Sequence, residues 1–190
     1  MKNFILVTAI IGISASLSAQ EYVADTEKST VKWTGKKIGK EHYGTVGLKD
    51  CKFKIEDDKI VSWTFVIDLN VMTDEDHPDP NETGRLIKHL KSDDFFSVDK
   101  YPHATLEIKG SEKFDKGQAL VKGDLTIKGK THPVEFTVKR LGATFTSSLS
   151  FDRSLYDVRF GSDRFFDNLG NNAIDNIIPI EVTIIAQRER

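Results

Sequence analysis

The sequence holds one cysteine among 190 residues, and only two methionines and two tryptophans. A single thiol excludes an internal disulfide, so packing alone must hold the fold, and Cys51 reads as a small, half-buried strand residue. A dominant charge is missing too: 27 Lys and Arg stand against 29 Asp and Glu, a formal net charge of −2. That balance offers no electrostatic ground for binding nucleic acid or an anionic membrane surface. Beyond the N-terminus no run is apolar enough to read as a membrane-spanning helix. There is no Gly-x-Ser-x-Gly elbow and no Gly-rich phosphate loop. No pair of carboxylates is marked out for acid–base work, so the chain reads as a non-enzyme. The histidines, His42, His77, His89, His103 and His132, show neither H-x-H nor H-x-x-x-H spacing.

What is present begins with the N-terminus. Lys2 precedes an apolar stretch from Phe4 to Leu17, broken only by Thr8, Gly12, Ser14 and Ser16, and the small residues Ser18 and Ala19 follow. This is the layout of a secretory signal peptide. About 14 apolar residues are too few to cross a ~30 Å hydrocarbon core as a helix. The expectation is a signal peptide over residues 1–19, cleaved near Ala19, and one mature domain over 20–190, periplasmic or secreted. Loss of Lys2 would leave 26 basic against 29 acidic residues, a net charge of −3.

Alternation with period two dominates the rest. Val61, Trp63, Phe65, Ile67, Leu69 and Val71 share one parity, with Ser62, Thr64, Asp68 and Asn70 between them. Successive strand side chains point to opposite faces, so such a segment has one apolar face. The pattern returns in Val31/Trp33, Ala104/Leu106/Ile108, Leu125/Ile127, Val134/Phe136/Val138, Phe145/Leu149/Phe151 and Ile178/Ile180/Val182/Ile184. Between Val46/Leu48 and Phe53/Ile55 the parity slips, which predicts a β-bulge or break near Lys49–Asp50. Asp57–Asp58, Lys116–Gly117 and Lys128–Gly129–Lys130 are short links of hairpin type. About eight closely spaced strands without long alternating helices predict an all-β antiparallel barrel or sandwich rather than a βαβ fold.

Two segments interrupt the rhythm. Thr73 to Gly84 reads as an acidic loop, and Leu86, Ile87 and Leu90 predict short helical segments within 83–96. Gly161 to Asp175 holds Phe165–Phe166 and turn-rich polar residues. Both read as elaborations covering one mouth of the barrel.

The order of several pieces points further. They are His89–Leu–Lys–Ser–Asp–Asp–Phe–Phe96, Tyr101–Pro–His–Ala–Thr–Leu–Glu–Ile108, Val121–Lys–Gly–Asp–Leu–Thr–Ile–Lys–Gly129 with Pro133–Val134, and Phe151–Asp–Arg–Ser154. Together they span nearly the whole chain after the N-terminus, and in this order the chain resembles the YceI-like family of polyisoprenoid-binding proteins. The resemblance implies an extended, lipocalin-like eight-stranded barrel with a long internal tunnel for an isoprenoid or other extended lipid. Gly161 to Gly170 lengthens the region after the Asp–Arg–Ser motif and suggests a subgroup.

Candidate wall residues are Trp33, Trp63, Phe65, Ile67, Phe136, Val138, Phe145, Leu149, Phe151, Ile180 and Val182. Alternation alone leaves open whether they fill a core or line a pocket; the resemblance implies the pocket. Candidate head-group contacts are His42, His89, Asp152 and Arg153. Arg153 is suited to bidentate phosphate recognition, and Asp152 and Arg153 equally suit structural ion pairs at a barrel end. His42 reads as a solvated loop residue or a head-group contact, and His89 as a rim or surface residue. Lys36, Lys37 and Lys40 read as an attraction for an anionic head group or as a solvated turn.

The expected ligand is a polyisoprenoid or fatty-acid-like lipid, with no other cofactor and no metal. Asp74, Asp76, His77 and Asp79 cluster in sequence, but a calcium loop starting at Asp74 needs Gly where Asp79 stands, and Pro78 and Pro80 stiffen the segment. Expected partners exclude nucleic acid and stable membrane insertion, and a dimer is the oligomeric state to test. The competing readings are a stress or interaction barrel with a solid core and, after it, a lipid-modifying enzyme.

Overall fold

Left-handed backbone at the hairpin tips sets the architecture. Asp57 and Asp58 have φ of 51° and 59°, and Lys128 and Gly129 have φ of 50° and 70°. Such pairs form the two-residue turns whose twist matches flanking antiparallel strands. The computed structural model describes residues 19–77 and 79–189; the expected signal peptide, apart from Ala19, lies outside them. The strands are β1 (Gln20–Ala24), β2 (Thr30–Lys37), β3 (Lys40–Glu56), β4 (Lys59–Met72), β5 (His103–Ser111), β6 (Gln118–Ile127), β7 (Lys130–Leu141), β8 (Thr144–Asp152) and β9 (Ile177–Arg188), with helix α1 (Pro80–Lys91) between β4 and β5.

Each strand from β2 to β8 pairs antiparallel with its successor, and β9 pairs back onto β2. β1 and β2 both lie between β3 and β9, β1 against Lys52–Ile55 and β2 against Lys40–Val46. They are two segments of one stave, bent at residues 25–29, where Ser29 N–H donates to Asp25 O. The result is a closed eight-stranded antiparallel barrel, as expected.

The register refines the predicted faces. A shift between Leu48 and Asp50 places the bulge at Lys49, where the parity slip put it. Further shifts between Lys54 and Ile55 and between Val46 and Gly47 turn both ends of β4. Val61 and Val71, expected to face inward, are therefore exposed, while Ile60 is buried and Met72 packs against the core. Gly47 leaves the room that Val71 occupies, since a Cβ on it would lie 2.8 Å from Val71 Cβ. Helix α1 begins earlier than expected. Asp79 caps it by accepting a hydrogen bond from Asn81 N–H at 2.8 Å, and Pro80 follows in the first turn. That is a helix start rather than the middle of a loop.

The two halves of the barrel are filled differently. At the β1 end, Tyr22, Phe53, Trp63 and Phe65 stack in sequence with centroids 4.9, 4.5 and 4.8 Å apart, and Phe145 meets Tyr22, Phe53 and Trp63 edge-on. Offset stacks and edge contacts of this kind add about 0.5–1.5 kcal/mol each beyond area burial. Cys51 lies against this ladder, 1% exposed rather than half-buried, and accepts a hydrogen bond from Trp63 Nε1 at 3.0 Å. Burial pushes its thiol up to about 12, against a smaller opposing effect of the Trp63 hydrogen bond.

At the other end, the segment after β8 folds over the mouth. Asp152 caps a short 3-10 turn over Arg153–Tyr156 through Ser154 N–H and Oγ, and pairs with Arg164 at 2.6 Å. Arg153 is 1% exposed and donates to four carbonyls: Asp175, Val158, Phe160 and Ile174, each at 2.9 Å. Nearly the whole fork of guanidinium donors is thus spent on backbone. Asp152 thus makes a structural ion pair at the barrel end, Arg153 bonds to backbone instead, and together they pin the 153–176 segment as a roof. Phe160 from this roof meets His89 and Phe95, at 4.6 and 5.3 Å, so both elaborations close over the same mouth.

Two outcomes follow. Arg153→Lys, with three donors for four carbonyls, is expected to cost about 3 kcal/mol or more, read by denaturant unfolding, with proteolytic cleavage appearing between 153 and 176. For Cys51, the unfolded thiol ionises near its ordinary value while the native one stays protonated, so stability is intact below about pH 9 and falls above it, by ~1.4 kcal/mol per pH unit. Melting curves from pH 8 to 10.5 should show a steeper loss in the native sequence than in Cys51→Ala, and folded protein should resist thiol alkylation at pH 8.

Candidate functional site

Inward-facing residues of the roofed half do not meet at the barrel axis. They surround a cavity of about 200 Å³ whose wall presents only apolar atoms. On β4 the wall runs from Phe65 to Met72, seven steps of ~3.3 Å, or roughly 15–20 Å of depth once strand tilt is allowed for. The cavity therefore occupies one half of the barrel. The aromatic ladder closes its inner end, at Phe65.

Of the expected wall residues, Trp33, Phe65, Ile67, Leu149, Phe151, Ile180 and Val182 line this cavity. Trp63, Phe136, Val138 and Phe145 do not. They border a separate gap of about 20 Å³ in the packed half, and their rings and methyls are core. The sequence placed both elaborations over one mouth but did not identify the side chains they turn into the cavity: Leu86 and Leu90 from α1, Phe95 and Phe96 after it, and Ile174. Leu86 and Leu90 are four apart on α1, which puts them on one face above the opening. Trp33 carries a buried indole N–H with no acceptor among the described residues, a group that costs about 1–3 kcal/mol unpaired.

Of the polar candidates, His42, Arg153, Lys36 and Lys37 border the cavity, and His89, Asp152 and Lys40 do not. His89 is outside the cavity lining, with Nε2 3.3 Å from Asp94 and its ring against Phe95 and Phe160. Arg153 borders the cavity but spends its donors on the roof. Lys36, Lys37 and His42 border it at the β2–β3 hairpin, and Lys36 also pairs with Glu41 at 3.1 Å. Lys40 is exposed and outside the lining.

His42 belongs to a second constellation. After β4 the chain runs back along the start of β3, with Thr73 N–H donating to Thr45 O and Glu75 N–H to Tyr43 O. Gly44 makes this approach feasible, because a Cβ there would sit 2.1 Å from Thr73 O. The crossing sets Asp76 beside β3, where its carboxylate accepts from Tyr43 N–H at 3.0 Å and lies 2.9 Å from His42 Nδ1. His77 Nδ1 hydrogen-bonds Asp74, whose side chain is fully buried. The rings of His42 and His77 stack with centroids 4.5 Å apart. Burial works to raise the Asp76 carboxyl, but hydrogen bonds with Asp74, the Tyr43 amide and His42 outweigh it and hold the group well below the usual carboxylate range, at about 2.

The comparisons agree with this architecture. A family model for the YceI-like domain matches residues 22–186. A UPF0312 protein of Vibrio cholerae serotype O1 is 30% identical over 141 residues, covering 71% of this chain and 70% of its own. Protein YceI of Escherichia coli O6:H1 is 40% identical over 74 residues, covering 39% of this chain and 38% of its own. Among solved structures, BcnA of Burkholderia cenocepacia superposes with a TM-score of 0.67 at 22% identity, over 86% of this chain and 99% of its own. A Saccharophagus degradans domain described as polyisoprenoid-binding gives 0.59 at 17% identity, over 88% and 98%. Fold, motif order and family model together place this chain in the YceI-like family.

Proposed function

We propose that this protein is an exported, non-enzymatic carrier or store for an isoprenoid or similar long-chain lipid, whose tail lies in the roofed half of the barrel. The observation that carries this reading is the apolar cavity itself. Its wall offers no polar atom to a ligand, so what fills it gains by leaving water. Each buried CH₂ contributes on the order of 0.8 kcal/mol, and ten of them about 8 kcal/mol before ordering costs. A Saccharophagus degradans domain of similar fold is described as polyisoprenoid-binding, which supports the same ligand class. Lys36 and Lys37 at the rim suit an anionic head group such as a phosphate. The N-terminal signal-peptide pattern supports export.

Protein purified from its native host, denatured and extracted with organic solvent, should release a prenyl or acyl chain at close to one per protein by mass spectrometry. Ile180→Glu places an unpaired carboxylate in the cavity wall and should weaken binding of an added prenyl lipid at least tenfold. Leu141→Glu, at a position 85% exposed on β7, should leave binding unchanged. Folding of both variants is checked by circular dichroism. Clean protein that ignores prenyl and acyl lipids alike would defeat the carrier reading.

A further inference from the structure

We propose that His42, Asp74, Asp76 and His77 form a binding site for one divalent d-block cation of the Zn²⁺ class at the rim of the cavity. The donor atoms of these four residues all lie within 4.8 Å of one another. They come from two separate places, the start of β3 and the segment after β4, held together by the backbone pairing across Gly44. Two imidazoles and two carboxylates make an N₂O₂ set of the composition that suits Zn²⁺, whose tetrahedral ligands stand ~3.4 Å apart.

The charge arrangement supports the assignment independently of the spacing. Asp74 is fully buried at its side chain and Asp76 is 15% exposed, and among the described residues both carboxylates are partnered in ion pairs only by histidine. No lysine or arginine among the described residues pairs with them. Their ion-pair partners are two rings stacked face to face at 4.5 Å and 24°, a geometry in which two imidazolium charges repel. A divalent cation resolves both problems together: it balances two carboxylates and takes two neutral imidazoles as ligands. The oxygen count is too low for calcium, which takes six to eight oxygen ligands. His42 also borders the apolar cavity, so the ion would sit where a bound lipid meets solvent.

The test uses untagged, chelator-treated protein titrated with Zn²⁺ by calorimetry, with Mg²⁺ and Ca²⁺ as comparisons. One Zn²⁺ per chain is expected, with Mg²⁺ and Ca²⁺ much weaker. His42→Ala, His77→Ala and Asp74→Asn each remove a direct ligand and should weaken Zn²⁺ binding by at least the roughly tenfold to hundredfold that loss of an outer-shell partner costs. Zinc-edge X-ray absorption on the unmodified protein should show a nitrogen and oxygen shell with imidazole scattering, a readout that does not depend on how the variants fold. No binding, binding unchanged in His42→Ala, a preference for Ca²⁺, or a sulfur ligand pointing to Cys51 would each overturn the assignment.

Discussion

The stacked rings at one end of the barrel are what allow the other end to stay open. A closed sheet satisfies its backbone whether or not its interior is filled, but stability comes from side chains that touch. Tyr22, Phe53, Trp63, Phe65 and Phe145 concentrate that contact in one half. The wall residues of the roofed half, such as Ile67, Leu149 and Ile180, are then left partly uncovered across a gap. Phe65 belongs to both regions, closing the ladder on one side and flooring the cavity on the other. Depth of the cavity is thus set by where the aromatics stop.

The roof shows a second division of labour. Arg153 is charged and buried, a combination that costs heavily unless its hydrogen bonds are met. Here carbonyls from Val158 to Asp175 meet them, so one side chain organises a long connection that has little regular structure of its own. Ile174, held by the same bonds through its carbonyl, turns its own side chain into the cavity wall. The contact between Phe160 and Phe95 joins this roof to the chain after α1, and the two covers act as one lid of mixed origin.

Much of this was legible in the residues. Period-two alternation identified the strands, the slip near Lys49 marked a true bulge, and ordered motifs identified the family. Alternation failed at Val61 and Val71 because register shifts reverse the face at each end of β4. It could not separate Trp63, Phe136, Val138 and Phe145 from the wall residues, since a filled and a hollow half use the same parity. The start of α1 was written in Asp79–Pro80, a cap followed by a first-turn proline, but the surrounding acidic residues masked it. The fate of Arg153 had no signature, because its partners are main-chain carbonyls that any sequence supplies. His42 and Asp76 are 34 residues apart and share no motif. Only the hairpin centred on Asp57–Asp58, which lays the end of β4 along the beginning of β3, brings them together.

The split first stave has a consequence for how the chain reaches this state. Tyr22 pairs with Arg188 and Val31 with Val182, so the seam of the barrel joins residues from opposite ends of the sequence. Contacts of such long separation form late and slow folding. A chain still emerging from synthesis lacks its final strand and has no edge on which to shut. Until β9 is in place the first stave has only β3 to pair with, so closure of the barrel waits on the strand farthest from it in sequence.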